Sequence, residues 1–187
     1  MYLFRIFFIV FVTACFGAGC ATNGATPQAK RQAINKSTDD TLAKLLEIKP
    51  HVRSQITGAP GYAVFSNANI NVIFASFGGG HGIVKNNTTG SKTYMKMGEI
   101  GLGLGAGVKD YRLVMVFDSN ESMNRFISEG WVFGAQADAA IKASTKGAAA
   151  GGETVINGIT IYQLTESGLA LQATIKGTKF WKDRELN

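Results

Sequence analysis

Glycine occupies every second position from 101 to 107, within the stretch Gly98–Asp110. Alternate residues of a β-strand point to opposite faces, so this pattern predicts a strand with one face free of side chains. The sequence leaves two occupants of that face open: a covering helix, or an acyl chain or headgroup in a groove. The stretch also fits a loose phosphate-loop pattern, but a strand rather than an anion-holding helix N-terminus follows it. We therefore interpret Gly101, Gly103, Gly105 and Gly107 as a structural glycine strand.

Beyond Gly61 the chain has the period of β-strands. Residues 62–65, 71–77 and 111–117 are rich in β-branched and aromatic residues and are bounded by glycine or asparagine. The run 112–117 is apolar on both faces, which is typical of a central, covered strand. Residues 168–176 instead alternate between apolar and polar, which predicts a strand with one solvated face. Residues 144–158 are small and polar, and we expect a loop there.

Three helices are predicted beside these strands. Leucines at 42, 45 and 46 indicate a helix that begins near Ser37 or Thr38, and a short helix after Pro50 ends at Gly58. A third helix is capped by Asp118-Ser119, buries a stripe at 123, 126 and 127, and ends at Gly130. The fold class that follows is α+β: a single domain with a largely antiparallel, twisted or barrel-like sheet, N-terminal helices and one internal helix packed on it.

The N-terminus has the layout of a secretory signal. Arg5 precedes an apolar run that is short for a spanning helix, and small residues lead into Cys20. We expect residues 1–19 to be a lipoprotein signal peptide, residues 20–36 a tether and residues 37–187 the folded domain. Cys20 is the expected lipidation site, to be acylated with palmitate-type chains. Cys15 as the acylated residue and an uncleaved membrane anchor are the alternatives.

This leader predicts export and lipid anchoring in a bacterial cell envelope. Ala21 follows the expected acylated cysteine and lacks the acidic character that favours retention at the inner membrane. We therefore expect the protein at the outer membrane, facing the periplasm. With both cysteines beside the leader, the folded part has neither a disulfide nor a cysteine-ligated metal.

Catalytic patterns are sparse in this chain. Its two histidines, His51 and His81, stand in unrelated contexts, and no metal-binding spacing or nucleophile motif accompanies them. His81 stands among glycines, which favours a turn residue over a ligand. We therefore expect a protein that is not an enzyme and that has no cofactor and no metal site.

The C-terminus interleaves cations with large aromatic residues. Tryptophan favours the interface of a bilayer, and lysine or arginine is attracted to anionic headgroups. The candidate lipid-binding residues are Lys176, Lys179, Trp181, Lys182 and Arg184. The alternative is an ordinary solvated terminus with Phe180 and Trp181 packed onto the domain. The net charge of +6 also favours an anionic partner, but export argues against nucleic acid.

The order of these features resembles the SYLF lipid-binding domain family over residues 38–182. The resemblance rests on Gly61–Phe65, the glycine-rich strand, Leu113–Phe117, the helix at Met123–Phe126, Trp131–Gly134 and the closing strand Gly168–Gly177. It implies a bacterial lipoprotein related to eukaryotic proteins that bind phosphoinositides and actin. It implies no catalytic residues.

Together these observations predict a non-enzymatic envelope lipoprotein that binds phospholipid or another amphiphile at a membrane surface. The alternative is a structural or protein-interaction module that docks a protein partner or self-associates without specific lipid recognition. Neither prediction names the lipid.

Overall fold

The structure is a computed structural model that describes residues 26–72, 75–102, 107–130, 153–165, 168–169 and 178–187. The helices are α1 (Pro27–Ile48), α2 (Val52–Gly58) and α3 (Asn120–Glu129). The strands are β1 (Gly61–Val72), β2 (Ala75–Asn86), β3 (Lys92–Leu102), β4 (Gly107–Phe117), β5 (Glu153–Ile156), β6 (Ile159–Thr165), β7 (Gly168–Leu169) and β8 (Thr178–Lys182). No helix in these ranges is long and apolar enough to cross a bilayer.

All the described strands form one curled, antiparallel sheet. Their order is β5-β6-β4-β1-β2-β3-β8, and β7 pairs with β6. The long strands β1 and β4 lie at the centre, which agrees with the two-sided apolar character of residues 112–117. The predicted α+β fold with a twisted, barrel-like antiparallel sheet is therefore confirmed.

The sheet buries apolar side chains on both faces. On the face that we call inner, Phe65, Met97 and Phe117 pack against Met123 and Phe126 of α3. On the opposite, outer face, Val64, Val114 and Tyr162 pack against Leu45 of α1 and Val52 of α2. The long helix α1 thus crosses the outer face, and its leucines lie in the core as their spacing predicts.

The start of α1 is the main correction to the predicted elements. The helix begins at Pro27, ten residues before the predicted start at Ser37, so residues 27–36 are helical rather than a tether. Thr26 caps it by accepting a hydrogen bond from the Ala29 amide at 3.2 Å, and proline suits the first helical position. This half of the helix has little apolar content, which is why periodicity did not find it. Cys20 and the signal peptide lie outside the described residues.

The two shorter helices agree with their predictions. Helix α2 ends at Gly58 and buries Val52 and Ile56. The side chain of Ser119 caps α3, and Gly130 follows that helix with φ 65°. At Gly130 an added Cβ would also collide with the Phe180 carbonyl, so glycine meets two requirements there.

The predicted glycine strand is divided between two strands. Gly101 lies near the end of β3 and Gly107 begins β4, while Gly103 and Gly105 lie outside the described residues. Both strands belong to one antiparallel path in which β1 and β2 separate them, so the chain reverses between them. The prediction of a single strand with four glycines on one face is therefore wrong. Alternation cannot reveal such a reversal, because both arms keep the same period.

The predicted loop over 144–158 also needs correction at its end. Residues 153–156 form β5, which pairs with β6 around the two-residue turn Asn157-Gly158. Both turn residues have positive φ, at 50° and 75°. Asn-Gly is the strongest short hairpin signal in a sequence. Within the predicted loop it indicates the turn between β5 and β6. Residues 144–152 lie outside the described residues.

Candidate functional site

Four of the five predicted lipid-binding residues lie together at one end of the sheet. Lys179, Trp181 and Lys182 are on β8, and Arg184 follows in the C-terminal turn. All four side chains are exposed. Lys176 lies outside the described residues. We call Lys179, Trp181, Lys182 and Arg184 the basic edge.

The two aromatic residues of β8 point to opposite faces. Phe180 is fully buried on the inner face, where its ring centroid lies 4.7 Å from that of Phe65. Trp181 is 39% exposed on the outer face. Its ring lies beside Gly98, where an added Cβ would come within 3.1 Å of the ring. Phe180 is therefore buried in the domain, as the alternative of a packed terminus predicts, whereas Trp181 stays partly exposed.

The three cations of the basic edge make no ion pair with another described residue. The nearby acids are engaged elsewhere. Asp183 is 2% exposed and lies 3.3 Å from the ammonium of Lys96. The carboxylate of Glu185 lies 2.7 Å from the ammonium of Lys30. The basic edge therefore presents positive charge to solvent.

The C-terminal turn that carries Arg184 is tied to the domain. The amide of Asp183 donates to the Tyr94 carbonyl at 3.0 Å. The side chain of Asn187 accepts from the Tyr94 amide at 3.0 Å and donates to its carbonyl at 2.7 Å. Arg31 of α1 donates to the Leu186 carbonyl at 2.9 Å. The basic edge is thus part of the fold rather than a free, solvated terminus.

A groove lies next to the basic edge, between the N-terminal half of α1 and the outer face of the sheet. Its volume is about 590 Å³, and we call it the outer groove. Most of its lining is small, and three charged or titratable groups stand at its rim. The residues used below are Lys30, Ala33 and Ser37 of α1, Gly79 and His81 of β2, and Asp110 of β4.

His81 joins the outer groove to the basic edge. The register places it opposite Lys96 on β3, and Lys96 is opposite Trp181 on β8. Its ring still reaches solvent, yet partial burial lowers its pKa below 6.5, and the charge of Lys96 lowers it further. Lys30 adds to this effect, whereas Asp183 and Glu185 oppose it. His81 is therefore a neutral donor and acceptor near pH 7.

Comparison with known proteins identifies the family. Residues 98–187, which contain the whole basic edge, match the Ysc84 family, whose domain is the SYLF domain and which is described as "Las17-binding protein actin regulator". Over 170 residues the chain is 34% identical to "Beta cell expansion factor A" of Aeromonas veronii, a match that covers 88% of this chain. The chain belongs to the SYLF family. It spans 61% of the length of the Aeromonas protein.

The inner face of this SYLF domain holds a buried polar cluster that sequence reasoning missed. Glu99 is 6% exposed and accepts hydrogen bonds from the Tyr111 hydroxyl and, at 3.1 Å, from the Asn67 amide. Burial raises the pKa of Tyr111 well above 10, and its bond to Glu99 raises it further. Tyr111 therefore stays protonated, and its O–H donates to the carboxylate.

The described part of the SYLF domain carries two neighbouring surface features, the basic edge and the outer groove. Within its ranges, no three His, Cys, Asp or Glu side chains are placed to hold a metal ion. What the fold brings together instead is a cationic, aromatic edge and an adjoining groove. A family of binding and regulatory domains is consistent with such surfaces.

Sequence reasoning found the basic edge but not the groove beside it. The edge is contiguous along the chain, so its charges and aromatics are visible as one run. The groove draws on α1, β1, β2 and β4, and three of its lining residues, Lys30, Ala33 and Ile34, belong to the part of α1 that is predicted as a tether. His81 was interpreted as a turn residue, whereas it lies inside strand β2. The Thr26-Pro27 pair was the signal for the longer helix.

Proposed function

We propose that this protein is a non-enzymatic envelope lipoprotein whose SYLF domain binds anionic phospholipid at a membrane surface through the basic edge. The observation that carries the proposal is the exposed indole of Trp181 among three cations that have no acidic partner in the described residues. An indole favours the headgroup level of a bilayer because one end of its ring is apolar and the other polar. Each cation near an anionic surface adds about 1 kcal/mol.

The lipid anchor supplies the second part of the proposal. Acyl groups on Cys20 hold the protein at the outer membrane, on its periplasmic side, after residues 1–19 are removed. The acyl groups supply membrane residence, and the basic surface of the attached domain adds contact with anionic headgroups. Intact-mass measurement of the purified protein tests this step. A mature chain that starts at an acylated Cys20 supports it, and a mass that retains residues 1–19 contradicts it.

Vesicle binding tests the role of the basic edge. The variant Lys179→Gln/Lys182→Gln/Arg184→Gln removes three charges, and we expect it to lose most binding to anionic vesicles in low salt. The matched control Lys36→Gln/Arg53→Gln/Arg125→Gln removes three exposed charges outside the basic edge. If both variants bind alike, net charge rather than the basic edge carries the interaction.

The second candidate is a module that docks a protein partner or self-associates. The observation that favours it is the description of the matched family as Las17-binding and actin-regulating. A chain that ignores anionic vesicles in the vesicle-binding assay would favour this candidate if it also forms a stable oligomer in size-exclusion chromatography or captures an actin-regulating partner.

A further inference from the structure

The outer groove exists because the two halves of α1 meet different surfaces. The C-terminal half presents Leu42, Leu45 and Leu46, which pack into the outer core. The N-terminal half presents Ala33 and Ser37 over a floor that includes Gly79. Small residues on both sides cannot fill the space between helix and sheet, so a cavity of about 590 Å³ is left. This volume lies within the range of about 300–1,000 Å³ usual for small-ligand pockets.

The helix is held over this cavity by polar contacts at its N-terminal end. The Lys30 ammonium lies 2.7 Å from the Glu185 carboxylate. The Asn35 amide donates to the Tyr94 hydroxyl at 3.1 Å and its carbonyl accepts from Lys92 at 2.9 Å. These bonds join α1 to β3 and to the C-terminal turn. The groove is therefore built into the fold, and it does not depend on loose packing of the helix.

Charge is unevenly distributed along the groove. His81 and Lys30 stand on the side that leads to Lys96 and the basic edge, and Asp110 stands on β4 at the other side. Strands in a sheet lie about 4.8 Å apart, so His81 and Trp181, two strands apart, are about 10 Å from each other. Asp110 disfavours an anionic group at its own side. On the other side the ring of His81 and the ammonium of Lys96, which also pairs with Asp183, supply hydrogen-bond donors for such a group.

We propose that the outer groove binds a single-chain anionic amphiphile. Its acyl chain lies between α1 and Gly79, and its anionic head lies at His81 and Lys96, next to the basic edge. This inference rests on the proposed function, because both take lipid as the ligand. The basic edge attracts the bilayer as a whole, and the outer groove is in addition a site for one lipid molecule per chain.

Gly79 allows a direct test. An added Cβ at Gly79 would meet no atom within 4 Å, and its φ is not in the left-handed region, so Gly79→Leu occupies the groove without disturbing the strand. Gly58→Leu is the matched control, since Gly58 at the end of α2 also faces open space. All proteins are the full chain with Cys20→Ser, so that no attached acyl group competes for the groove.

The probe is lysophosphatidylglycerol below its micelle concentration, measured by titration calorimetry and native mass spectrometry. We expect one molecule to bind per chain, Gly79→Leu to weaken binding at least about tenfold, and Gly58→Leu to bind like the parent. Zwitterionic lysophosphatidylcholine should bind more weakly, and glycerol phosphate, which has no chain, should not bind. The inference would be overturned if Gly79→Leu bound the lysolipid as tightly as the parent chain does, or if Gly58→Leu lost as much affinity as Gly79→Leu. It would also be overturned if the parent chain bound both lysolipids with the same affinity.

The same proteins separate this inference from the proposed function. Gly79→Leu should keep its binding to anionic vesicles, because the basic edge is unchanged. A parent chain that binds vesicles but no lysolipid overturns the groove site and leaves the proposed function standing. A parent chain that binds lysolipid but ignores vesicles overturns the role of the basic edge and leaves the groove site standing.

Discussion

At the scale of single residues, the side chain of Glu99 is buried on the inner face of the sheet. A buried charge is tolerated only when hydrogen bonds replace its lost water. Tyr111 on β4 and Asn67 on β1 supply two of them, although neither strand pairs with β3, which carries Glu99. The cluster sits on the inner face, in the same layer of the sheet as the apolar Met97 and Phe180. Its hydrogen bonds therefore join β3 to β1 and β4 across the curled sheet.

The substitution Tyr111→Phe tests this role. It removes an O–H donor from a buried acceptor, and we expect the free energy of unfolding to fall by about 1–3 kcal/mol. Urea denaturation followed by circular dichroism measures the change. The control is Tyr62→Phe, because the phenol of the buried Tyr62 makes no hydrogen bond with another described residue; its effect should stay within about 0.5 kcal/mol. Equal losses in the two variants would contradict a special role for Tyr111.

His81 predicts a pH dependence at the groove rim. Its folded pKa lies below 6.5, so folding favours the neutral imidazole. The resulting stabilisation is complete above pH 6.5, and it is lost as the pH falls from 6.5 through the folded pKa. The groups that face it are Lys96, Lys30, Asp183 and Glu185. We expect His81→Gln to flatten the fall in unfolding free energy below pH 6.5. Parallel curves for the parent and His81→Gln would contradict the assignment.

At the scale of elements, strand β2 uses its glycines for opposite purposes on its two faces. Toward the inner face, a Cβ on Gly82 would collide with the Val64 carbonyl and the Phe65 ring. Toward the outer face, Gly79 opens onto the groove with nothing near it. One strand thus permits close approach to β1 on one side and leaves space for a ligand on the other.

These two glycines predict opposite responses to alanine. Gly82→Ala should destabilise the domain by about 1–3 kcal/mol, because the added methyl group overpacks a filled site. Gly79→Ala should be neutral or stabilising by up to about 1 kcal/mol, because glycine weakens a strand interior. Thermal and urea unfolding of the two variants measure the difference. A loss in Gly79→Ala as large as that in Gly82→Ala would show that the groove floor is more tightly packed than the structure indicates.

The elements that could be predicted from sequence are those whose side chains carry a periodic signal. Helix α3 shows its cap, its buried stripe and its terminal glycine, and the structure has all three. The first ten residues of α1 lack such a stripe, because they contact the C-terminal turn through Lys30 and Arg31 rather than the core. The reversal between Gly101 and Gly107 was hidden because two strands share one period. Local patterns therefore gave the fold class and the basic edge, but not the groove, which depends on contacts distant in sequence.

At the scale of the whole molecule, the two acids beside the basic edge are paired with other cations, and the cations of that edge are left open to solvent. Asp183 pairs with Lys96, which lies opposite His81 in the sheet, and Glu185 pairs with Lys30 at the groove rim. These pairs tie α1, β3 and the C-terminal turn into one body. The cations of the basic edge remain directed to solvent at the end of that body, beside the indole of Trp181. The ion pairs that hold the C-terminal turn to the domain thus involve other cations than those of the basic edge, which are available to a membrane.

This separation predicts two different salt dependences for vesicle binding. Electrostatic attraction is screened over about 10 Å at 0.1 M salt, whereas insertion of an indole is not. The triple variant Lys179→Gln/Lys182→Gln/Arg184→Gln should therefore lose affinity by up to about 100-fold in low salt, if each cation adds about 1 kcal/mol, and much less in high salt. The affinity of Trp181→Ala for the vesicles should instead fall by the same factor in low salt as in high salt. Flotation with anionic vesicles across a salt series distinguishes the two variants. If both losses vanish together as salt rises, Trp181 contributes nothing beyond its cationic neighbours, and the basic edge binds by charge alone.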